Sequence, residues 1–129
     1  MSGSVTGGRL VALGAGLAGA AVALGAFGSH GLTGRVSAEA LGWWQTGAQY
    51  LLPHGVAVLA LGLVDRPRLR TAGLLLAGGS GVFAGTLCAM ALGGPRWLGA
   101  VTPLGGLAMI AGWALLAWRG SRKPGWRGG

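Results

Sequence analysis

The feature that most constrains this chain is a succession of four apolar runs, at approximately residues 10–27, 44–64, 71–92 and 101–118, none of which contains an Asp, Glu, Lys or Arg. A bilayer core about 30 Å thick is crossed by about 20 residues of helix rising 1.5 Å each. Inside lipid every backbone N–H and C=O must find its partner within the protein, so runs of this length are helices. The connections between them carry the Gly, Pro and charge that a membrane helix keeps to its ends. The fold class that follows is an all-α membrane protein, a four-transmembrane-helix bundle forming one domain over residues 1–129, with 119–129 as a basic tail. Composition agrees: 52% of the 129 residues are apolar and 9% charged, more apolar surface than a soluble domain of this size can hide. The 29 glycines are interleaved with Leu, Ala and Val, which suits helices whose backbones approach closely in lipid.

Direction follows from the basic residues. The N-terminal tail, the second connection and the C-terminal tail hold Arg9, then Arg66, Arg68 and Arg70, then Arg119, Arg122, Lys123 and Arg127; the opposite side holds only Arg35 and Arg96. Cytoplasmic connections are enriched in Lys and Arg, so both termini are expected in the cytoplasm. Trp43, Trp44 and Trp97 are then expected at the outer interface and Trp118 at the inner one. The first run also has the look of a signal peptide, with Arg9 before it and Ala23 and Gly25 as small residues near its end. It is long for that role, and the charge alternation works with it retained. In the first connection, 28–43, Ser37 is placed to cap a short helix carrying Glu39 toward Trp43.

Packing without a hydrophobic drive between helices depends on small residues and interhelical hydrogen bonds. Ala77, Gly81, Gly85, Ala89 and Gly93 recur every fourth residue in the third run, and Ala15, Gly19 and Ala23 do the same in the first. These rows are expected to seal the bundle internally, with a homodimer face as the other use.

With the topology set, the uncharged polar residues fall on one side. His30 closes the first span. Gln45, Gln49 and Tyr50 occupy the outer half of the second, and His54 lies near mid-depth. Thr86 and Cys88 belong to the outer half of the third span, and Thr102 opens the fourth. An ionisable residue at mid-depth is costly and points to function, although a neutral imidazole with one good partner is also a sound packing element. Pro53 supplies no N–H, so the carbonyl of Gln49 loses its helical donor. Around a helix Gln45 and Gln49 lie together, as do Tyr50 and His54, but the pairs are well apart and do not share one narrow site.

Other chemistries find little footing. The acids are Glu39 and Asp65 alone, against a net charge of +8, yet the basic residues are scattered in short tracts and lack the contiguous footprint that nucleic acid needs. Cys88 is the sole cysteine. His30, His54 and Cys88 have no tight ligand spacing and no carboxylate to orient them, so neither metal nor cofactor is expected. No Ser-His-Asp set, carboxylate pair or nucleotide loop is present, so no enzyme is expected.

Several segments resemble the YgdD/YwdK family of small bacterial inner-membrane proteins. They are Leu24-Gly25-Ala26-Phe27-Gly28-Ser29-His30-Gly31-Leu32, then Gly42-Trp43-Trp44-Gln45-Thr46-Gly47-Ala48-Gln49-Tyr50 with His54, Val82-Phe83-Ala84-Gly85-Thr86-Leu87, Val101-Thr102-Pro103-Leu104-Gly105-Gly106, and Ala111-Gly112-Trp113. Ser29, Thr86 and Cys88 depart from a pattern that usually has Ala, Ser and Tyr. The resemblance implies a four-span protein of the bacterial inner membrane with no settled activity.

The reading that results is a non-enzymatic membrane protein. Its outward-facing cavity, lined by His30, Gln45, Gln49, Tyr50, His54, Thr86 and Thr102, binds a small molecule, a lipid or a partner helix. The alternative is a small transporter or channel subunit using His54 for proton or ion coupling. Beyond the lipid bilayer, the expected partners are a second copy or a larger membrane complex.

Overall fold

The computed structural model describes residues 3–122. Two of the counted basic residues, Lys123 and Arg127, and most of the expected basic tail lie outside them. Within them run four helices, α1 (Val5–Phe27), α2 (Ala38–Val64), α3 (Arg70–Ala91) and α4 (Leu98–Ser121), and each is long and apolar enough to cross a membrane. A π-helical turn, Gly28–Leu32, continues α1, and a 3₁₀ turn, Pro67–Leu69, leads into α3. Among the described residues there is no strand.

The chain folds as two antiparallel hairpins, α1/α2 and α3/α4, joined through α2 and α3. Both connections within the hairpins lie at one end, the loop end. The N-terminus, the α2–α3 connection and the C-terminal end of α4 share the other, the terminal end.

Local sequence sets the helix limits. Ser4 caps α1 by accepting from the Gly7 N–H at 2.9 Å, and Ser37 caps α2 by accepting from the Ala40 N–H at 3.0 Å, each satisfying a donor the first turn leaves free. The short helix expected after Ser37 is therefore not separate. It is the first turn of α2, whose 27 residues extend about 40 Å, beyond the hydrocarbon core, and the expected 28–43 connection contracts accordingly. Pro53 and Pro103 lie inside α2 and α4 without ending them. Asp65 ends α2 in the left-handed region at φ 53°, its N–H donating to the Leu61 carbonyl.

Of the rows expected to seal the bundle only Ala77 is buried, in the core with Val58 and Leu76. A Cβ added at Gly19, Gly81 or Gly85 would meet nothing within 4 Å, and Ala15, Ala23 and Ala89 are exposed. The contacts repeat every seven residues instead. In α1/α2, a Cβ on Gly55 would lie 2.6 Å from the Ala18 nitrogen, and one on Gly62 would lie 2.7 Å from the Gly7 carbonyl oxygen. In α3/α4, a Cβ on Gly105 would lie 2.7 Å from the Gly79 carbonyl oxygen, and one on Gly112 would lie 3.2 Å from that of Ala72. A seven-residue period is that of a left-handed crossing, in which two helices stay in register by wrapping slightly around each other. Between the hairpins larger side chains meet, with Val58 and Leu76 fully buried and Leu10, Leu61 and Leu69 packed around them.

Candidate functional site

The Gly28–Leu32 turn is shaped by Trp44. The indole N–H of Trp44 donates to the Leu24 carbonyl at 2.7 Å, crossing from α2 to α1, and its ring lies 5.7 Å from that of Phe27. A Cβ on Gly28 would stand 2.7 Å from Trp44 Cδ1, so only glycine lets the indole reach. The hydroxyl of Thr33 lies 3.2 and 3.0 Å from the Gly28 and Ser29 carbonyls, offering a donor to groups that the π geometry releases from α-helical pairing. Trp44, expected in the aromatic belt, is 4% exposed and is an interhelical bolt. Trp97 and Trp118, at the loop and terminal ends, are both exposed.

His54 is buried and both ring nitrogens are engaged. Trp113 Nε1 of α4 lies 2.9 Å from Nε2, and the Tyr50 carbonyl lies 2.6 Å from Nδ1. An indole nitrogen only donates, so Nε2 is bare, Nδ1 carries the hydrogen, and the ring is the neutral tautomer. Tyr50 stacks on His54 and meets the edge of Phe83 at 5.1 Å, while Trp113 stands edge-on to His54 at 5.5 Å. This cluster ties α2 to α3 and α4 at mid-helix.

The second polar contact joins α3 to α4. Thr86 and Thr102 hydroxyls are 2.6 Å apart, and each also reaches a carbonyl of its own helix, Val82 at 2.8 Å and Leu98 at 3.1 Å. Of the remaining expected lining residues Tyr50 joins His54 through its ring and carbonyl, and the others converge on neither pair. Gln45 and Gln49 are exposed on α2, Tyr50 is half-exposed, and His30 is exposed in the π-helical turn. The single patch expected around His54, Gln49, Thr86 and Thr102 is thus resolved into two closed pairs and an exposed flank. The angular separation of Gln45/Gln49 from Tyr50/His54 is the reason. Among the described residues, no three His, Cys, Asp or Glu side chains gather in one place.

A different concavity opens at the loop end. A hollow of about 540 Å³ lies between the start of α2 and the α3–α4 connection, lined by residues that include Ser37, Glu39, Trp43, Met90 and Arg96. Its volume falls in the range of small-ligand sites. Glu39 and Arg96 make no ion pair among the described residues, where the Arg70–Asp65 pair at 3.2 Å is the one present. Sequence reasoning passed over both, although a signal existed: Glu39 is one of two acids, and Arg96 one of two basic residues in the connections on its side.

At the terminal end the Asp65 carboxylate accepts from the Ser4 N–H at 2.7 Å, the Ser4 hydroxyl at 2.6 Å and Arg70 at 3.2 Å. The Ser4 hydroxyl, then the Ser4 N–H, and then Arg70 hold its carboxyl below the usual carboxylate range, against a smaller opposing effect of burial. The same carboxylate sits at the positive end of the α1 dipole. One residue therefore closes α2 with its backbone and anchors the start of α1 with its side chain.

Four apolar helices, each long enough to cross a bilayer and joined by hydrogen bonds between them, define a multi-pass integral membrane protein. The chain belongs to the family described as "Protein of unknown function (DUF423)", which matches residues 24–106. It is 40% identical over 99 residues to the UPF0382 inner membrane protein YgdD of Escherichia coli strain K12, covering 74% of this chain and 76% of that one. A UPF0382 membrane protein of Staphylococcus saprophyticus is 39% identical over 99 residues, covering 74% and 82%. One of Staphylococcus haemolyticus is 40% identical over 98 residues, covering 74% and 80%. No solved structure matches the chain. The resemblance read from the sequence is thereby established, and with it a place in the bacterial inner membrane.

Proposed function

We propose that this protein is a non-enzymatic membrane protein that binds a small zwitterionic molecule, such as a lipid headgroup, at its loop end. The observation that carries the reading is the hollow flanked by Glu39 and Arg96, opposite charges that are not paired with each other. A ligand bearing both an ammonium and a phosphate or carboxylate satisfies both at once, and Trp43 and Met90 supply apolar wall for an attached chain. By the distribution of Lys and Arg this end faces away from the cytoplasm and the termini lie within it. The transport alternative draws less support, because a proton on His54 Nε2 would oppose the Trp113 N–H it now accepts. Nor does a catalytic reading gain support from a histidine with both nitrogens engaged.

Native mass spectrometry of purified protein with phosphatidylethanolamine tests the proposal. Glu39→Gln together with Arg96→Gln is expected to reduce lipid retention about tenfold, the scale of losing one or two charge-assisted hydrogen bonds. Equal retention by wild type and variant would sink the reading.

A further inference from the structure

The opposite end of the bundle carries a second concavity of different chemistry. A hollow of about 460 Å³ is lined by Arg68, Trp118, Arg119 and Arg122. It has three guanidinium groups and no acid in its wall. Among the described residues the one carboxylate near this end, Asp65, is committed to Ser4 and Arg70. Interfacial arginines orient a membrane protein wherever they stand, so charge alone would not make this a site. Here the side chains are held in place. Arg119 Nη1 donates to the Arg68 carbonyl at 3.0 Å, fastening the end of α4 to the turn before α3. Arg122 lies over the Trp118 ring at 5.5 Å. The Nε of Arg68 is closed off from solvent and has no acceptor among the described residues. Three guanidinium-bearing residues lining one hollow with no acid among them make an anion the fitting complement.

We propose that Arg68, Arg119 and Arg122, with Trp118 beside them, form a binding site for the phosphate group of an anionic phospholipid. Guanidinium forks match the geometry of phosphate oxygens. Trp118 is 55% exposed at the end of an apolar helix, where an indole sits among headgroups and glycerol. This position favours a lipid phosphate over a free one. The site is independent of the loop-end hollow, because the two lie at opposite ends of the helices and call for different headgroups.

The test is retention of phosphatidylglycerol against phosphatidylcholine in nanodiscs holding the full chain, read by native mass spectrometry, with inorganic phosphate titrated in parallel. Wild type is expected to retain phosphatidylglycerol about tenfold better, and Arg68→Gln with Arg122→Gln to abolish the preference. Arg68→Gln leaves the backbone carbonyl that Arg119 holds, and the lone Arg122→Gln variant serves if the double variant does not fold. Arg9→Gln, an exposed charge at the same end, is expected to change retention less than about twofold. Phosphatidylglycerol selectivity without phosphate binding supports a lipid site. Phosphate binding with the same variant dependence but no lipid selectivity overturns the lipid source. No lipid preference and no phosphate binding in wild type, or an equal loss in Arg9→Gln, overturns the site itself.

Discussion

Within each hairpin the helices touch backbone to backbone at repeated glycines, whereas between the hairpins side chains make most of the contact and close backbone approach is confined to Gly47 against Ala84. The α1/α2 and α3/α4 seams use glycines seven residues apart, where even one added carbon would strike a neighbouring main chain. The α2–α3–α4 junction uses Val58, Leu76 and the Tyr50–His54–Trp113 cluster instead. Both arrangements answer the same physical problem. Lipid is as apolar as leucine, so association must come from close packing or from hydrogen bonds made in hydrocarbon. A backbone seam gains close packing and cannot yield to a larger residue. A side-chain junction can repack, and its selectivity resides in a few polar contacts.

The largest expected effect breaks a backbone seam. Gly55→Val puts its branch against the Ala18 nitrogen and Gly14 carbonyl, and it should destabilise the fold by about 3 kcal/mol or more, at or beyond the upper range of overpacking costs. Thermal unfolding in detergent would read this as an early transition, and an unchanged midpoint would contradict the seam. The next effect tests the junction. His54→Leu strips the Trp113 indole of its acceptor and should cost about 1–2 kcal/mol. In a double-mutant cycle with Trp113→Phe, the two losses should fall short of additive, and strict additivity would mean the bond contributes nothing.

A smaller effect concerns the Asp65 anchor. Its folded carboxyl titrates below the unfolded value, so its contribution is present above about pH 4 and lost as pH falls through the folded value. Asp65→Asn should flatten this acid limb of the stability curve and leave the alkaline side unchanged. An acid limb of equal size in the variant would assign it elsewhere. The smallest effect serves as the contrast. Gly85→Ala meets open space and should be neutral or stabilising by up to about 1 kcal/mol, the helix-propensity gain. A clear loss of stability would mean that this face is packed in the membrane, as a homodimer through Gly81 and Gly85 would require.

The two kinds of contact were not equally legible. His54, Thr86 and Thr102 stand out in an apolar chain as polar groups that need partners, and every one proves to be a bond between helices, as does Trp44, which the sequence places in the aromatic belt. Their partners were not legible, because Leu24 contributes only its carbonyl and Trp113 lies 59 positions from His54. The packing glycines were less legible still. In a chain with 29 glycines small residues occur all around each helix, so a four-residue row exists by composition alone. Only the relative rotation of the helices selects the seven-residue row at Gly55 and Gly62.

By itself, then, the sequence determined four helices, because run length and hydropathy are local properties weighed against a fixed bilayer. Tertiary structure alone decided which glycines touch and that His54 is a neutral, doubly bonded strut. It also decided that Glu39 and Arg96 line one hollow and that Arg68, Arg119 and Arg122 line another at the other end. Each of these depends on how helices are rotated and paired. That pairing is set by the close approach of backbones, which no single segment carries.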